Sequence, residues 1–252
     1  MQPAMETNQD VIVVIPAYNE IATIRVVVIS VLAHVGRVIV VDDCSTDDTA
    51  SAIADLPIIQ LRNEQNLGKA ASLMRGFAEA LRLGAKQVIS FDADGQHDAN
   101  DLPRLLRAAV TKPEELIIAA RLIGCEKAPR SRLYANRIAD FFISWVCNQR
   151  IFDTQSGFRL YPAAFLAHLD IPHDKEHGFA FESQVLITAA QAKISISAIP
   201  IVSHYSYQQR PSYFRPQRDL SCIVKLVAWQ LIKAKFNIKG FWCYWRAPKL
   251  VK

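Results

Sequence analysis

The sequence predicts an α/β fold in which helices flank a twisted, mostly parallel β-sheet. Short apolar runs rich in β-branched residues alternate with stretches of helical periodicity between residues 11 and 119. Because both faces of such runs must be buried, a parallel sheet covered by helices is favoured over a half-exposed antiparallel sheet. Right-handed crossovers would then bring the carboxyl ends of the strands to one edge, where open α/β sheets bind ligands.

The individual elements follow from this alternation. Strands are expected at residues 11–15, 38–41, 58–61, 88–91 and 116–119, with a later one near 199–205. Helices are expected near residues 21–34, 46–54, 69–83, 98–110 and 138–147. We expect Asn19 to cap the first of these helices and Gly84 to end the third.

Composition indicates a packed globular chain, since 51% of the 252 residues are hydrophobic and 21% are charged. We expect residues 1–9 to be a flexible N-terminus without a secretory signal, and residues 10–219 to form one domain. The five cysteines lie far apart without a C-x-x-C pair, which favours a reduced, cytoplasmic location and argues against a cysteine zinc site. The net charge of +5 suits an anionic partner such as nucleotide phosphate, anionic lipid or nucleic acid.

A candidate metal site follows the fourth predicted strand, where the sequence reads D-A-D-G-Q-H. Asp92, Asp94 and Gln96 supply hard oxygen ligands, which Mg²⁺ and Mn²⁺ prefer. Such ions complete their shell with water and substrate phosphates, so a diphosphate is the natural partner. The alternative is that Asp92, Asp94 and Asp98 are turn and N-cap residues, which the motif alone does not exclude.

Five motifs, in this order, resemble those of family 2 glycosyltransferases, and the chain looks most like the branch of dolichyl- and polyprenyl-phosphate mannosyl- or glucosyltransferases. They are I-P-A-Y-N-E at 15–20, V-V-D-D-C-S-T-D-D-T at 40–49, N-L-G-K-A at 66–70, D-A-D-G-Q-H at 92–97 and D-T-Q-S-G-F-R at 153–159. The resemblance spans residues 11–219. It implies the GT-A fold, a nucleotide-sugar donor, a divalent metal and inversion at the anomeric carbon.

The resemblance also assigns donor-side residues. The loop after the first strand is implied to line the nucleobase and ribose, where Tyr18 would pack on a uracil or guanine ring. One aspartate of the pair Asp42 and Asp43 is implied to hydrogen-bond the base or ribose, and we favour Asp43. Asp94 and Gln96 are implied to hold the metal. The donor-binding candidates are Pro16, Ala17, Tyr18, Glu20, Asp43, Lys69 and Asp92.

Sugar, acceptor and catalytic residues are assigned in the second half of the chain. The catalytic candidates are Asp94, Arg121 and Glu182. Asp94 would hold the metal, which together with Arg121 would neutralise the charge that develops on the leaving diphosphate, and Glu182 is a candidate base for a hydroxyl acceptor. At residues 181–184 the sequence reads F-E-S-Q, so a glutamine replaces the second acid of the commoner F-E-x-E pattern. Residues 210–215 read R-P-S-Y-F-R, without the glycine and lysine of the related R-x-x-G-x-S-K. The sugar- and acceptor-binding candidates are Arg132, Gln155, Ser156, Gly157, Arg159, Arg210, Ser212 and Arg215.

The predicted activity is transfer of one hexose from a UDP- or GDP-hexose to a membrane-associated acceptor, with polyprenyl phosphate favoured. A phosphomonoester is already an anion near neutral pH and needs no general base, whereas a hydroxyl acceptor would need Glu182 or Asp153. A hydroxyl of a lipid or small molecule is therefore the alternative acceptor. A nucleotidyltransferase and a non-catalytic nucleotide-sugar-binding protein are alternatives of other classes. We expect no nucleic acid partner.

The C-terminal segment, residues 220–252, differs in character from the rest of the chain. Apolar residues at helical spacing precede Phe241, Trp242 and Trp245, which lie among several lysines. Aromatic and basic residues together suit the interface of an anionic membrane, so we expect peripheral attachment to its inner face. No run reaches the ~18 apolar residues of a spanning helix. The alternative is a helix packed on the main domain.

Overall fold

A computed structural model describes residues 9–124, 130–171, 181–202, 227–228, 230–232, 238–245 and 249–251, except for the side chains at 130–132 and 239. The chain forms two compact units. The first comprises Met1–Pro113 and Phe158–His168, and the second comprises Glu114–Gly157 and Leu169–Lys252. The expected boundary between residues 219 and 220 lies outside the described residues, so the predicted division into three segments stays a prediction.

Seven strands and seven α-helices are found in the described residues. The strands are β1 (Val11–Ala17), β2 (Val38–Asp42), β3 (Ile59–Arg62), β4 (Gln87–Ser90), β5 (Leu116–Ile123), β6 (Arg159–Pro162) and β7 (Ile196–Val202). The helices are α1 (Ile24–Leu32), α2 (Lys69–Arg82), α3 (Leu102–Thr111), α4 (Arg130–Cys147), α5 (Ala163–Leu166), α6 (Phe181–Gln191) and α7 (Ile238–Cys243). Short 3₁₀ turns lie at Ser51–Ile53 and Ala99–Asp101.

Strand pairing confirms the α/β class with a mostly parallel sheet. In the first unit the strand order is β3-β2-β1-β4-β6. β1 pairs in parallel with β2 and β4, β2 pairs in parallel with β3, and β4 pairs antiparallel with β6. In the second unit β5 and β7 pair in parallel. Every residue of β1 and of β2 is buried, as their unbroken apolar sequences predict.

Helix α2 packs closely on the centre of this sheet, and the sequence explains both its contact and its end. Gly76 lies so near β1 that an added Cβ would come within 2.3 Å of a methyl carbon of Val14. Its lack of a side chain therefore permits the close approach. At the other end, Gly84 has a φ of 77°, the left-handed conformation that terminates helices. The predicted stop at Gly84 is confirmed.

Several predicted boundaries were wrong. α1 begins at Ile24, and Asn19 does not cap it; Thr23 occupies the cap position. The helix expected at 46–54 is reduced to the 3₁₀ turn Ser51–Ile53. β5 continues past its expected end, with an irregularity between Arg121 and Ile123, and α4 begins at Arg130 instead of residue 138. Strand pairing with β7 extends β5 beyond the point where apolar character alone would end it.

Candidate active site

The loops that follow β1 and β2 are tied together by hydrogen bonds. The backbone N–H of Asn19 donates to Ser45 Oγ (2.9 Å), and Asn19 Oδ1 accepts from the N–H of Thr46 (2.8 Å). The N–H of Glu20 donates to Thr49 Oγ1 (2.8 Å). The two motifs thus form one continuous surface beside the carboxyl ends of the strands. Asn19 joins these loops instead of capping a helix.

The expected donor residues of the first motif divide between strand and loop. Pro16 and Ala17 were placed in the loop, which was wrong, because they are the last residues of β1 and pair with Val41 and Asp42. The pairing of β1 with β4 ends at Val14, so the missing N–H of Pro16 leaves no ladder bond broken on that side. Tyr18 and Glu20 follow in the loop and are half-buried.

Asp43 holds the chain between β3 and α2. Its carboxylate accepts hydrogen bonds from the side-chain amide of Asn63 (2.7 Å) and from the backbone N–H groups of Leu67 (2.9 Å) and Gly68 (2.7 Å). Both oxygens are therefore engaged by the protein. Asp42 is fully buried, and its Oδ2 makes no hydrogen bond in the described residues, although Arg62 Nε lies 3.4 Å away. A role of Asp43 in donor binding stays a prediction.

Lys69, the first residue of α2, meets the metal motif directly. Its ammonium lies 2.7 Å from Asp92 Oδ1, and the imidazole of His97 lies 3.6 Å from Asp92 Oδ2. Burial opposes ionisation of Asp92, but Lys69 and His97 outweigh it and hold the pKa of this carboxyl below its usual value. His97 is itself fixed by edge contacts with Phe91 and Phe158. Asp92 is thus a permanently charged, positioned group.

Asp94 differs from its neighbour. Its side chain is exposed, but partial desolvation by neighbouring atoms and repulsion from Asp92 raise the pKa of its carboxyl. Its Oδ1 accepts from the N–H of Gln96 (3.0 Å), which closes a tight turn at Gly95, where φ is 72°. Asp94 and Gln96 thus lie on either side of the tight turn at Gly95. No group of three or more His, Cys, Asp or Glu side chains in the described part of the chain is arranged for a metal. Two oxygen ligands fit a Mg²⁺ or Mn²⁺ ion that completes its shell with substrate phosphate and water.

Asp98 is a cap residue, as the alternative interpretation of the motif predicts. Its Oδ1 accepts from the backbone N–H of Asn100 (2.9 Å) and caps the 3₁₀ turn before α3. The three aspartates within seven residues therefore serve three purposes: an ion pair, a candidate metal ligand and a cap.

In the second unit, Arg121 and Asp153 form a two-point ion pair. Arg121 Nε and Nη2 donate to the two carboxylate oxygens at 2.8 and 2.7 Å, and the backbone N–H of Arg121 adds a third bond (2.8 Å). Both side chains are largely buried. The pairing fixes the plane of the guanidinium and engages its Nε–Nη2 edge with the carboxylate.

Sequence reasoning missed Asp140, a carboxylate on α4. It accepts from the backbone N–H groups of Asp153 (3.1 Å) and Thr154 (2.8 Å) and from Thr154 Oγ1 (2.8 Å). Burial and the nearby charge of Asp153 raise the pKa of Asp140 to about 6. A single acid within the apolar stretch I-A-D-F-F-I was the signal available in the sequence. Asn63 and His97 were also missed, although each stands next to a recognised motif or inside one.

The remaining sugar-side candidates are mostly buried. Gln155 Nε2 donates to Ser183 Oγ (3.1 Å), and Ser156 Oγ donates to the carbonyl of Ala119 (2.8 Å). Glu182 lies buried at the start of α6. Gly157 is buried in the loop, and Arg159 is a fully buried residue of β6, opposite Ser90. Arg210, Ser212 and Arg215 lie outside the described residues, as does the side chain of Arg132.

Helices α4 and α7 and the turn that follows α7 carry an aromatic cluster, defined as Phe141, Phe142, Trp145, Phe241, Trp242, Tyr244 and Trp245. Ring contacts link its members at centroid distances between 5.1 and 6.3 Å. Gly240 allows the contact, because a Cβ there would come within 2.2 Å of the carbonyl of Trp145. Trp242 and Trp245 remain 61% and 58% exposed. Within the described residues, no helix has both the length and the apolar character to cross a bilayer.

Comparison with known proteins agrees with this geometry. The chain is 27% identical over 216 residues to a UDP-N-acetylglucosamine–dolichyl-phosphate N-acetylglucosaminyltransferase of Methanococcus voltae, covering 77% of this chain and 85% of that protein. It is 28% identical over 205 residues to the polyprenol monophosphomannose synthase of Mycolicibacterium smegmatis, covering 77% of each.

Solved structures of glucosyl-3-phosphoglycerate synthase from Mycobacterium tuberculosis share the fold. The complex with Mn²⁺, UDP and phosphoglyceric acid superposes with a TM-score of 0.63 and 22% identity, covering 90% of this chain and 78% of that one. The predicted GT-A fold is thereby confirmed. Residues 12–169 match the profile of glycosyl transferase family 2. Because that match covers more than half of the chain, the protein belongs to glycosyl transferase family 2.

Proposed function

We propose that this protein is an inverting, metal-dependent transferase that moves one hexose from a UDP- or GDP-hexose to a polyprenyl phosphate. The observation that carries this proposal is the contrast after β4. Lys69 neutralises Asp92, whereas the Asp94 carboxylate has its ionisation opposed by Asp92. A divalent cation relieves that opposition and brings a diphosphate with it. The names of the relatives from Methanococcus and Mycolicibacterium support the acceptor class.

On the donor side, Asp94 and Gln96 would hold Mg²⁺ or Mn²⁺. When bound, the metal offsets the charge that develops on the leaving nucleoside diphosphate. Lys69 is kept at the start of α2 by its ion pair with Asp92, so its ammonium stays beside the metal motif. The structures from Mycobacterium tuberculosis with Mn²⁺ or Mg²⁺ and UDP support this ion class.

The pair of Arg121 and Asp153 favours an acceptor that is already an anion. A hydroxyl acceptor needs a carboxylate that takes its proton, but the Asp153 oxygens accept three bonds from Arg121. Asp153 is thus poorly suited as a general base, which leaves Glu182 as the candidate for a hydroxyl. A phosphomonoester needs neither Asp153 nor Glu182 as a general base, because its second pKa is about 6 and it is already an anion near neutral pH. We place Arg132, Arg210, Ser212 and Arg215 on the acceptor side from the sequence.

The aromatic cluster supports attachment to a membrane surface. Trp242 and Trp245 expose large apolar rings, which are favoured at the level of lipid headgroups. The segment from residue 220 onward is rich in lysine, so we propose reversible docking on the anionic inner face of a membrane.

A transfer assay tests the proposed function. The protein would be incubated with Mn²⁺, a radiolabelled UDP- or GDP-hexose and a purified polyprenyl phosphate, and label extracted into organic solvent would be counted. We expect label in the lipid for one of the donors, and none when EDTA replaces the metal. A polyprenol without phosphate is the matched control, because it offers a hydroxyl on the same chain. Transfer to the polyprenol at an equal rate would overturn the phosphate acceptor.

A further inference from the structure

The loop at residues 153–157 has an unusual backbone that requires support. Asp153 adopts a φ of 49°, a left-handed conformation that non-glycine residues rarely enter unless surrounding contacts hold them there. Thr154 and Ser156 in the same loop are fully buried. Something other than local preference must therefore fix its shape.

Asp140 supplies that support from α4. One carboxylate oxygen accepts from the N–H of Asp153 (3.1 Å), and the other accepts from both the N–H and the Oγ1 of Thr154 (2.8 Å each). Two consecutive N–H groups that point at one carboxylate fix the backbone dihedrals between them. The Asp153 side chain then leaves the loop in the direction that meets Arg121 with two parallel bonds.

We propose that Asp140 is a positioning residue for glycosyl transfer, which holds the 153–157 loop and, through Asp153, sets the orientation of the Arg121 guanidinium. Asp140 acts through these residues and does not touch substrate. This inference rests on the proposed function for its kinetic test, although its structural test does not.

The protonation behaviour of Asp140 agrees with a functional role. Because the pKa of Asp140 is raised in the folded state, ionisation of this carboxyl costs stability. The stabilising contribution of the neutral carboxyl is complete below the unfolded-state pKa and is lost as the pH rises through about 6. Asp153 faces this carboxyl, and Arg121, paired with Asp153, belongs to the same group of charges. The carboxylate offers an acceptor oxygen to each of the two N–H groups, whereas asparagine would offer only one oxygen.

The test compares Asp140→Asn with wild type and with Asp55→Asn, which makes the same change at an exposed carboxylate paired with Arg25. We expect Asp140→Asn to lower kcat between about tenfold and a hundredfold, as misplacement of a catalytic group does, with the donor KM changed less than about twofold. The wild-type profile of kcat against pH should show an acidic limb that the variant lacks. Asp55→Asn should match wild type throughout.

A second readout does not depend on activity. Amide hydrogen exchange at Asp153 and Thr154 should be faster in Asp140→Asn, and Thr154→Val, which removes only the hydroxyl donor, should show a smaller change. Unchanged exchange at both amides would overturn the role of Asp140 whether or not the protein transfers sugar. A variant with unchanged kcat and an unchanged acidic limb would overturn it too. Absence of transfer by wild type, with faster exchange in the variant, would reject the proposed function alone.

Discussion

Asp92 in the first unit and Asp140 in the second have pKa shifts of opposite direction. In the first unit, Lys69 and His97 hold Asp92 ionised. The Asp43 carboxylate accepts hydrogen bonds from one side-chain amide and two backbone N–H groups of one short loop. In the second unit, Asp140 is crowded by burial and by Asp153, which raises its pKa to about 6. Asp92 is therefore held as an anion, whereas burial and a nearby carboxylate oppose the ionisation of Asp140, as they do for Asp94 in the first unit. The difference teaches that proximity to a cation, more than burial, decides the charge state of these aspartates.

The first and largest expected effect concerns the metal motif. Asp94→Asn should abolish metal-dependent donor binding and lower kcat by about a hundredfold or more, because the metal loses its carboxylate ligand while the fold stays intact. Calorimetric titration with UDP and with GDP in the presence of Mn²⁺ measures the nucleotide affinity.

Asp98→Asn is the matched control, since asparagine caps a helical turn as well as aspartate does. Unchanged nucleotide affinity in Asp94→Asn would show that Asp94 is not a metal ligand. It would also weaken the proposed difference in role between Asp94 and Asp92.

The second prediction asks whether Asp43 serves the fold or the ligand. Asp43→Asn should lower the free energy of unfolding by about 2 kcal/mol, since one of its oxygens becomes an NH₂ group that faces backbone donors. Urea unfolding measures this loss, with Asp48→Asn, at an exposed position in the same motif, as control. A variant that keeps its stability and loses donor affinity would establish Asp43 as a direct donor contact instead.

The third prediction extends the comparison to the acceptor side. Arg210→Ala should raise the acceptor KM by about tenfold with little change in donor affinity, because a charge-assisted phosphate bond is lost. Steady-state kinetics with each substrate varied in turn measures both constants, and Arg107→Ala, at an exposed arginine of α3, is the control. Equal losses for donor and acceptor would move this arginine to the donor side.

The smallest expected effect is on membrane attachment. Replacing Trp242 and Trp245 by alanine should reduce binding to anionic vesicles several-fold, and binding of wild type should weaken as salt rises from ~0.1 to ~0.5 M. Co-sedimentation with vesicles of anionic and of neutral lipid measures the bound fraction of wild type and of the variant. Unchanged binding by the variant, or no binding of wild type to either kind of vesicle, would show that the aromatic cluster only joins α7 to α4. Equal binding of wild type to both kinds of vesicle would contradict the electrostatic contribution.

The sequence by itself determined the α/β class, the parallel strands and the metal motif. Unbroken apolar runs such as V-I-V-V-I can only be buried on both faces, and glycine at residue 84 permits the conformation that ends a helix. The order of five motifs along the chain was enough to predict the family by resemblance.

The tertiary structure decided which partner each polar residue meets. Asn19 joins two loops instead of capping α1, Pro16 and Ala17 lie inside β1, and Asp140 on α4 holds a loop that begins 13 residues later. Local propensity could not show this, because the energy of a buried hydrogen bond or ion pair depends on groups that only folding brings together. The opposite pKa shifts of Asp92 and Asp140 also depend on the folded environment. Burial opposes the ionisation of both carboxyls, but Lys69 and His97 lower the pKa of Asp92, whereas the charge of Asp153 raises that of Asp140 further.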